Sequence, residues 1–163
     1  MKKPKIEKSD LFLPYVILST WFWSGLSPKA PGTFGSLAAL PFAWIIKDNF
    51  GWLGLLSASV IVFCIGWYVS FRFEQEKGAE DPGCVVIDEV AGQWLVLLPA
   101  ALDIKSFLVG FILFRIVDIF KPWPVCWFDR NIHGGLGIML DDVMAAPYAM
   151  VALYLFQVQF LGS

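Results

Sequence analysis

The sequence predicts an all-α fold: a polytopic membrane helix bundle with about five transmembrane helices and an N-terminal interfacial or re-entrant helix. Apolar residues make up 58% of the chain and charged residues 16%, whereas soluble domains have roughly 45–50% and 25%. Several charge-free runs approach the roughly 20 residues that a helix needs to cross a bilayer. Helices are predicted because a spanning segment must satisfy its own backbone hydrogen bonds, and the sequence lacks the alternation typical of strands.

Five segments are predicted to cross. The strongest is residues 51–71, GWLGLLSASVIVFCIGWYVSF, and residues 143–161 are nearly as apolar. The shorter apolar runs need residues from their charged flanks to reach spanning length. They predict helices near 34–47, 86–102 and 104–120.

The segment before these spans has a different character. Residues 11–28, LFLPYVILSTWFWSGLSP, are interrupted by Pro14, Gly25 and Pro28, and the WFW triplet suits the headgroup region of a membrane. This segment is therefore the predicted interfacial or re-entrant helix. Residues 1–10 are predicted to form a cytoplasmic tail, and residues 11–163 a single membrane-embedded domain.

The basic residues predict the orientation. With a cytoplasmic N-terminus, only Lys47 and Lys105 of the 12 basic residues fall in outer turns. This asymmetry agrees with the excess of Lys and Arg on the cytoplasmic side of membrane proteins. All the notable polar motifs then fall on the inner side.

Charge and cysteine content exclude several classes of function. The net charge of −2 gives no indication of nucleic-acid binding. Cys64, Cys84 and Cys126 are widely spaced and form no CxxC pair, so neither a zinc site nor a disulfide framework is expected.

The first polar stretch is SGLSPKAPGTFGSLAALP, residues 24–41, a loop of small residues that opens into an apolar helix. Thr33 or Ser36 is expected to cap this helix, and Gly32 and Gly35 would let backbone N–H groups approach an anion. An ordinary loop and cap would explain the same residues.

Two pairs of adjacent acids are predicted to start apolar helices. They are Asp88–Glu89 and Asp141–Asp142. Simple helix starts would explain each pair, because negative charge suits a helix N-terminus. Acids that enter a membrane are costly, however, and tend to persist only with a partner such as a metal ion. Carboxylate oxygens with few nitrogen or sulfur donors indicate Mg²⁺.

A third motif, FRIVDIFKPWP, carries Arg115, Asp118 and Lys121 at spacings that place them on one helix face. An intrahelical ladder of ion pairs would explain them. Basic groups that flank an acid also suit a site for both a cation and a phosphate.

The last polar stretch, FDRNIHGGLGIMLDD, restricts the chemistry. His133 is the only histidine, which excludes mechanisms that need two. The CWFDR segment has the wrong spacing for a cysteine phosphatase, and no DxDx(T/V) pattern is present. Metal-activated water, or an aspartate acting with a metal, remains. His133 is a candidate general acid, or a loop residue without a catalytic role.

These motifs together resemble the phosphatidylglycerophosphatase A family of bacterial inner-membrane enzymes. The resemblance rests on SGLSPKAPGTFGSL, DEVAGQW, FRIVDIFKPWP and the run from Asp129 to Ala145, in the same order and separation. It covers roughly residues 20–160, and KPWP together with HGGLGIMLDD is its most specific part.

The resemblance implies hydrolysis of the terminal phosphate of phosphatidylglycerophosphate, giving phosphatidylglycerol and phosphate in phospholipid biosynthesis, with Mg²⁺ required. It implies a multi-pass phosphatase domain whose active site faces the cytoplasm, with the phospholipid substrate and membrane lipids as partners.

The metal ligands and the water-activating carboxylate would be among Asp88, Glu89, Asp118, Asp141 and Asp142, and all of these except Asp88 are also candidate catalytic residues. Arg115, Lys121 and Arg130 would neutralise the phosphate, and the 32–36 loop (Gly32, Thr33, Gly35, Ser36) would donate backbone N–H groups. Asp129 and His133 are weaker candidates.

The same residues allow two other interpretations. A CDP-alcohol phosphotransferase is also membrane-bound and metal-dependent, but its DG-x-x-AR core is missing from this sequence. A small transporter or lipid-binding membrane protein could also keep acids between helices. Its acids are expected near mid-membrane in broken helices, whereas these fall at predicted helix ends.

Overall fold

The structure is a computed structural model that describes residues 6–79 and 81–161. Every regular element in these ranges is helical, which confirms the predicted all-α class. The helices are α1 (Pro14–Ser19), α2 (Pro31–Lys77), α3 (Ile87–Val96), α4 (Ile104–Phe120), α5 (Val125–Asn131) and α6 (Gly134–Phe156). Short 3₁₀ turns lie at Asp10–Phe12 and Ser24–Leu26, and a π-helical turn, Gln157–Leu161, follows α6. Residues 1–5 of the predicted cytoplasmic tail lie outside the described residues.

Helix α2 is divided by a sharp break at Gly51. Gly51 has φ +66° and ψ −167°, a conformation that glycine adopts without the penalty a side chain would bring. The residues on either side form two arms, 31–50 and 52–77. The predicted helices at 34–47 and 51–71 correspond to these arms, and both arms are longer than predicted.

The first arm of α2 runs alongside α3 in the same direction. Gly35 lies against Val86, just before α3 begins. Further along both helices, the indole N–H of Trp94 donates to the carbonyl oxygen of Ala39 at 3.0 Å.

The second arm runs in the opposite direction along α3. The hydroxyl of Ser59 donates to the carbonyl oxygen of Ala91 at 2.9 Å, while Gly66, later in the arm, lies against Ile87 at the start of α3. The two arms are therefore antiparallel, and α2 is a helical hairpin that turns at Gly51.

Helix α3 is shorter than the predicted helix 86–102. It ends at Val96 and is only about 15 Å long. Pro99 follows closely, and the residue before a proline disfavours helical geometry. The ammonium group of Lys47 donates to the carbonyl oxygens of Leu97, Leu98 and Ala100 at 2.7, 2.9 and 2.5 Å, so the chain can leave the helix without stranding these acceptors.

Helix α6 begins earlier than predicted. The acidic pair Asp141–Asp142 was expected to start a helix, but α6 begins at Gly134, so both aspartates lie about two turns inside it. A Cβ atom at Gly135 would come within 2.5 Å of the Trp67 carbonyl oxygen on the second arm of α2. The glycine-rich start of α6 is therefore a close helix-packing surface.

Two helices are long and apolar enough to cross a membrane: α2, with 47 residues, and the segment Gly134–Phe160, with 27. Length and composition therefore do not clearly give the predicted five crossings. Two predicted spans fall within the single helix α2, and α3 and α4, with 10 and 17 residues, are shorter than the roughly 20 that a crossing needs.

Large apolar side chains cover the outside of the bundle. Ile61 on α2, Ile112 on α4 and Leu155 on α6 are 58%, 53% and 60% exposed. Soluble monomers rarely expose extended apolar surface, so this surface is typical of contact with lipid.

The N-terminal segment 11–28 contains only short helical pieces. Helix α1 has six residues, about 9 Å, which is far below the length of a crossing. Before it, the Asp10 carboxylate pairs with the Lys77 ammonium group at 2.5 Å. The hydrogen bond from Lys77 holds the pKa of Asp10 below its ordinary value. This pair attaches the N-terminal segment to the end of α2.

Candidate active site

Arg115 connects three of the predicted polar stretches. Its Nη1 lies 2.9 Å from Asp118 Oδ2, one turn later on α4, as the spacing of the two residues predicted. The same nitrogen lies 3.9 Å from Glu89 Oε1 on α3 and donates to the Ser36 hydroxyl on α2 at 3.3 Å. The guanidinium is largely buried, with 14% of the side chain exposed.

Three carboxylates converge beside this arginine. Asp88, Glu89 and Asp142 offer oxygen atoms that all lie within 4.8 Å of one another. Asp142 is 2% exposed and Asp88 9%. Asp118 and Asp141 are close enough for their charges to act on Asp142. We call Asp88, Glu89 and Asp142 the carboxylate cluster.

Close packing of α3 against α6 brings the cluster together. Gly92 lies one turn after Asp88 on α3, and a Cβ atom there would come within 3.0 Å of the Asp142 carbonyl oxygen. It would also meet the Phe114 ring on α4 at 2.7 Å. The absence of a side chain at this position lets α3, α4 and α6 meet.

Several buried polar atoms of the site have no hydrogen-bond partner among the described residues. They are Asp88 Oδ1, Glu89 Oε2, Asp142 Oδ2 and Arg115 Nε. Buried polar atoms are normally paired, and a buried unpaired carboxylate is particularly costly. Three carboxylates without a nitrogen or sulfur donor among them fit a hard divalent cation such as Mg²⁺.

Lys121 does not continue the ion-pair ladder of α4. It ends the helix with φ +43°, and its ammonium group lies 2.5 Å from Asp129 Oδ1 and 2.6 Å from Asp141 Oδ2. Asp141 Oδ1 in turn accepts from the backbone N–H of Asp142 at 2.9 Å. Lys121 therefore neutralises Asp141 and fixes it beside the carboxylate cluster.

The predicted phosphate-binding loop is the first turn of α2. Ala30 is the N-cap residue and Pro31 follows it, which suits proline because the first helical N–H needs no partner within the helix. The expected capping by Thr33 or Ser36 is therefore wrong. The backbone N–H of Thr33 donates to the Ala30 carbonyl oxygen at 3.0 Å, and the Ser36 hydroxyl donates to that of Gly32 at 2.9 Å.

Gly32 permits the contact between this turn and the cluster. A Cβ atom at Gly32 would lie 2.1 Å from Glu89 Oε1 and 3.1 Å from Arg115 Nη2. Any side chain would therefore displace both groups. Gly35 instead faces Val86, where a Cβ atom would meet the valine side chain at 2.6 Å. Gly32 faces the site, whereas Gly35 is a packing contact.

The remaining sequence candidates lie further out. Asp129 reaches the site through Lys121. Arg130 is exposed and forms no ion pair with any residue that the structure describes. His133 is also exposed and borders a small cavity of about 50 Å³ together with Asp81 and Asp141. The structure thus brings Asp129 to the edge of the site but does not bring Arg130 into contact with it.

The sequence interpretation gave no role to Gln93. This residue lies one turn after Glu89 on α3 and is completely buried. Neither its amide nitrogen nor its amide oxygen has a hydrogen-bond partner in the described ranges. The sequence did offer one signal for Gln93: it is the lone amide side chain within the charge-free run 90–102.

The fold and the site define a class: an all-helical protein with an apolar outer surface and a buried carboxylate cluster beside an arginine. The chain belongs to the phosphatidylglycerophosphatase A family, whose sequence model matches residues 17–157. The resemblance predicted from the motifs is thus confirmed.

Three bacterial relatives align over most of the chain. Phosphatidylglycerophosphatase A of Escherichia coli (strain K12) is 42% identical over 86% of this chain and 82% of its own length. The protein of the same name from Haemophilus influenzae is 37% identical, covering 93% and 94%. A relative from Bacteroides thetaiotaomicron, provisionally named a phosphatidylinositol-3-phosphatase, is 37% identical, covering 94% and 95%. No solved structure matches the chain.

Proposed function

We propose that this protein removes the terminal phosphate from phosphatidylglycerophosphate, which yields phosphatidylglycerol and inorganic phosphate. Membership in the family and the names of two relatives support this substrate. The observation that carries the proposal is the meeting of Glu89, Asp142 and Arg115, from three different helices, in one buried cluster.

The carboxylate cluster is the proposed Mg²⁺ site. Asp88, Glu89 and Asp142 would hold the ion, because their unpaired buried oxygens need a cation. When bound, Mg²⁺ supplies a Lewis acid that polarises the phosphate and activates water.

Arg115 is the proposed anchor of the phosphate. Its Nε has no partner among the described residues, and its Nη1 contacts Asp118 and Ser36. A guanidinium can bind a phosphate with two parallel hydrogen bonds, and a buried one does so with little competition from water. Lys121 is engaged with Asp129 and Asp141, so its proposed role is to position Asp141.

The reaction needs a proton acceptor near the phosphate. A water oxygen bonds to phosphorus, the bond from phosphorus to the glycerol oxygen breaks, and that oxygen takes up a proton. Asp118, Asp141, Asp142 and Glu89 are the candidates to accept the proton from water. Alternatively, one of the aspartates attacks phosphorus and forms an acyl phosphate that water then cleaves. Acid quenching during turnover of a substrate with a radiolabelled phosphate distinguishes the routes. Covalent catalysis traps the label on an enzyme carboxylate as an acyl phosphate that hydroxylamine cleaves, whereas direct attack by water leaves the enzyme unlabelled.

We also propose that the chain crosses the bacterial inner membrane several times, with the site at the cytoplasmic face. The two long apolar helices, the hairpin within α2 and the exposed apolar surface support this. The cluster end of the bundle carries most of the described basic residues: Lys29, Arg72, Lys77, Arg115 and Lys121. Lys47 and Lys105 lie at the other end, as expected for a cytoplasmic site.

Phosphate release from a panel of lipid phosphates tests the function. The panel contains phosphatidylglycerophosphate, phosphatidylinositol 3-phosphate and phosphatidic acid, each with Mg²⁺ and with chelator. We expect Mg²⁺-dependent release that is fastest from phosphatidylglycerophosphate. Faster release from phosphatidylinositol 3-phosphate would assign the headgroup that the name of the Bacteroides relative indicates. No release from any of these lipids would refute the proposal.

An Arg115→Lys variant tests the phosphate anchor. Lysine keeps the charge but loses the fork of donors, so kcat/KM should fall roughly 10- to 100-fold, the value of one or two charged hydrogen bonds. Arg72→Lys is the matched control, because Arg72 is exposed and, within the described ranges, its one ion pair is with Glu76, one turn away at 3.1 Å. Equal activities of the two variants would argue against the anchor.

A further inference from the structure

An apolar groove lies between the first arm of α2 and α4. It encloses about 200 Å³ and is lined by Leu40, Pro41, Trp44, Ile104, Phe107 and Leu108. Ile104 and Leu108 are 71% and 45% exposed, so the groove opens on the outer surface of the bundle. The rings of Trp44 and Phe107, whose centroids are 4.9 Å apart, form its inner wall at the end far from Arg115.

On α2, the groove continues a line of residues that begins in the active site. Gly32, Ser36, Leu40 and Trp44 follow one another at intervals of four, which places them on one helix face. Gly32 and Ser36 contact Glu89 and Arg115, and the next two residues line the groove.

On α4, residues on one helix face also link the groove to the active site, and here the chain runs from the groove towards the site. Ile104, Leu108, Phe111 and Arg115 are spaced by four, three and four residues and share one face. Arg115 meets Ser36 at one end of the helix pair, and Phe107 meets Trp44 at the other. The groove and the active site therefore lie at opposite ends of the same helix pair, on helix faces that they share.

The distance between the groove and Arg115 suits a lipid. Ser36 and Trp44 are eight residues apart, about 12 Å along the helix axis, and Leu108 and Arg115 are about 10 Å apart. A molecule with an anionic group at Arg115 and an apolar chain directed away from it would place that chain along the groove.

We propose that the groove receives an acyl chain of the phospholipid substrate while the substrate phosphate lies at Arg115. This inference rests on the proposed function. The side chains that line the groove are all apolar, and the buried guanidinium at the site end complements an anionic headgroup. The groove is too small for a helix, which is about 10 Å wide.

The groove contributes to catalysis through position. In a membrane, an acyl chain gains little by exchanging lipid neighbours for apolar side chains. A chain held along α4 nevertheless fixes the depth and direction of the headgroup, and orientation of the reacting phosphorus strongly affects rate. Substrates with long chains should therefore depend on the groove, whereas short-chain substrates should not.

The test is a groove-filling variant, Leu108→Trp, assayed on two forms of phosphatidylglycerophosphate. One form carries long acyl chains in phosphatidylcholine vesicles, and the other carries short chains in solution. We expect Leu108→Trp to lower kcat/KM for the long-chain form by about 10- to 100-fold and to leave the short-chain form nearly unchanged. Leu155→Trp, on the exposed face of α6, is the matched control and should affect neither form.

Two outcomes would contradict the proposal that the groove receives an acyl chain. One is unchanged kcat/KM of Leu108→Trp on the long-chain form, and the other is an equal loss on both forms. If Leu108→Trp fails to fold, Leu40→Phe makes the same test with a smaller side chain. If the wild-type protein releases phosphate from neither form, the proposed function itself fails and the groove assignment falls with it.

A binding measurement gives an independent readout. A phospholipid with a photoreactive group within its acyl chain should label peptides that contain residues 40–44 and 104–108. The Leu108→Trp variant should lose this labelling even when Asp142→Asn has removed turnover. Labelling spread evenly over the exposed faces of α2, α4 and α6 would show annular lipid alone and would contradict the groove.

Discussion

The two ends of α3 bury polar groups in opposite ways. At its C-terminal end, Lys47 donates to three carbonyl oxygens, and the side chain of Gln157 bonds to Pro99 and Ala101 at 3.1 and 2.6 Å. At its N-terminal end, Asp88 and Glu89 keep carboxylate oxygens for which the described residues supply no partner.

This difference separates an end whose polar groups are satisfied within the fold from an end that we propose binds a ligand. Both ends lie within an apolar bundle, where an unpaired polar group is costly. At the paired end, hydrogen bonds within the protein offset that cost. At the unpaired end, our proposal is that a bound cation offsets it. Changes at the two ends should therefore have opposite signatures: loss of stability at one and loss of activity at the other.

The largest effect on activity is expected from Asp142→Asn. The amide keeps the shape of the side chain and removes the charge, so phosphate release should fall about 10²–10⁴-fold. Because the change removes an unpaired buried charge, the melting temperature in detergent should stay the same or rise. Asp103→Asn, at the other end of the bundle, is the control and should retain activity. An active Asp142→Asn variant would remove Asp142 from the site.

Gly32→Ala should also act on activity more than on stability. The new methyl group would displace Glu89 and Arg115, which should lower kcat/KM about 10- to 100-fold through misplacement of both groups. Gly83→Ala is the matched control, because a Cβ atom there meets nothing within 4 Å. Similar kinetics of the two variants would contradict the close approach at Gly32.

Lys47→Met should show the opposite signature. Methionine keeps the length of the side chain but cannot donate, so the acceptors at residues 97, 98 and 100 lose their partner. The free energy of unfolding should fall by about 1–3 kcal/mol, while turnover per folded molecule is retained. Lys105→Met, at an exposed position on the same side, should change neither. A Lys47→Met variant that is stable but inactive would reverse the assignment of the two ends.

The smallest effect is expected at the N-cap of α4. Asp103 accepts from the Ser106 backbone N–H at 2.9 Å and from its hydroxyl at 2.7 Å, so Asp103→Ala should cost about 1 kcal/mol. The hydrogen bond from the Ser106 hydroxyl holds the pKa of Asp103 below its ordinary value. The stabilisation of the fold by ionised Asp103 is therefore complete above about pH 4, and it is lost as the pH falls through the lowered pKa. Unfolding curves of wild type and variant should converge only in strong acid.

Much of the site was predictable because charged residues are rare in this chain and each one in an apolar run is informative. Arg115 and Asp118 share a helix face by spacing alone, and the structure places them 2.9 Å apart. Glu89 and Asp142 were predicted to converge because acids in apolar helices need a common partner. Their oxygen atoms lie within 4.8 Å of each other, and Glu89 lies 3.9 Å from Arg115.

The boundaries were less predictable, because packing decides them. Charge-free runs could not show that Lys47 binds the carbonyl oxygens that follow α3, about fifty residues away in sequence. Nor could they show that the stretch around Gly135 forms a helix, since glycine there indicates a loop until Trp67 and Phe71 are placed against it. The pairing of Lys121 with Asp129 and Asp141 likewise depends on where α5 and α6 lie.

Binding of Mn²⁺, a paramagnetic substitute for Mg²⁺, tests most directly whether Asp88, Glu89 and Asp142 share a divalent cation. Electron paramagnetic resonance of the purified protein should show a saturable site that Mg²⁺ displaces. Asp88→Asn and Asp142→Asn should each weaken that site strongly, while Asp103→Asn leaves it unchanged. A wild-type protein without a saturable site, or cluster variants that bind Mn²⁺ as the wild type does, would contradict the account.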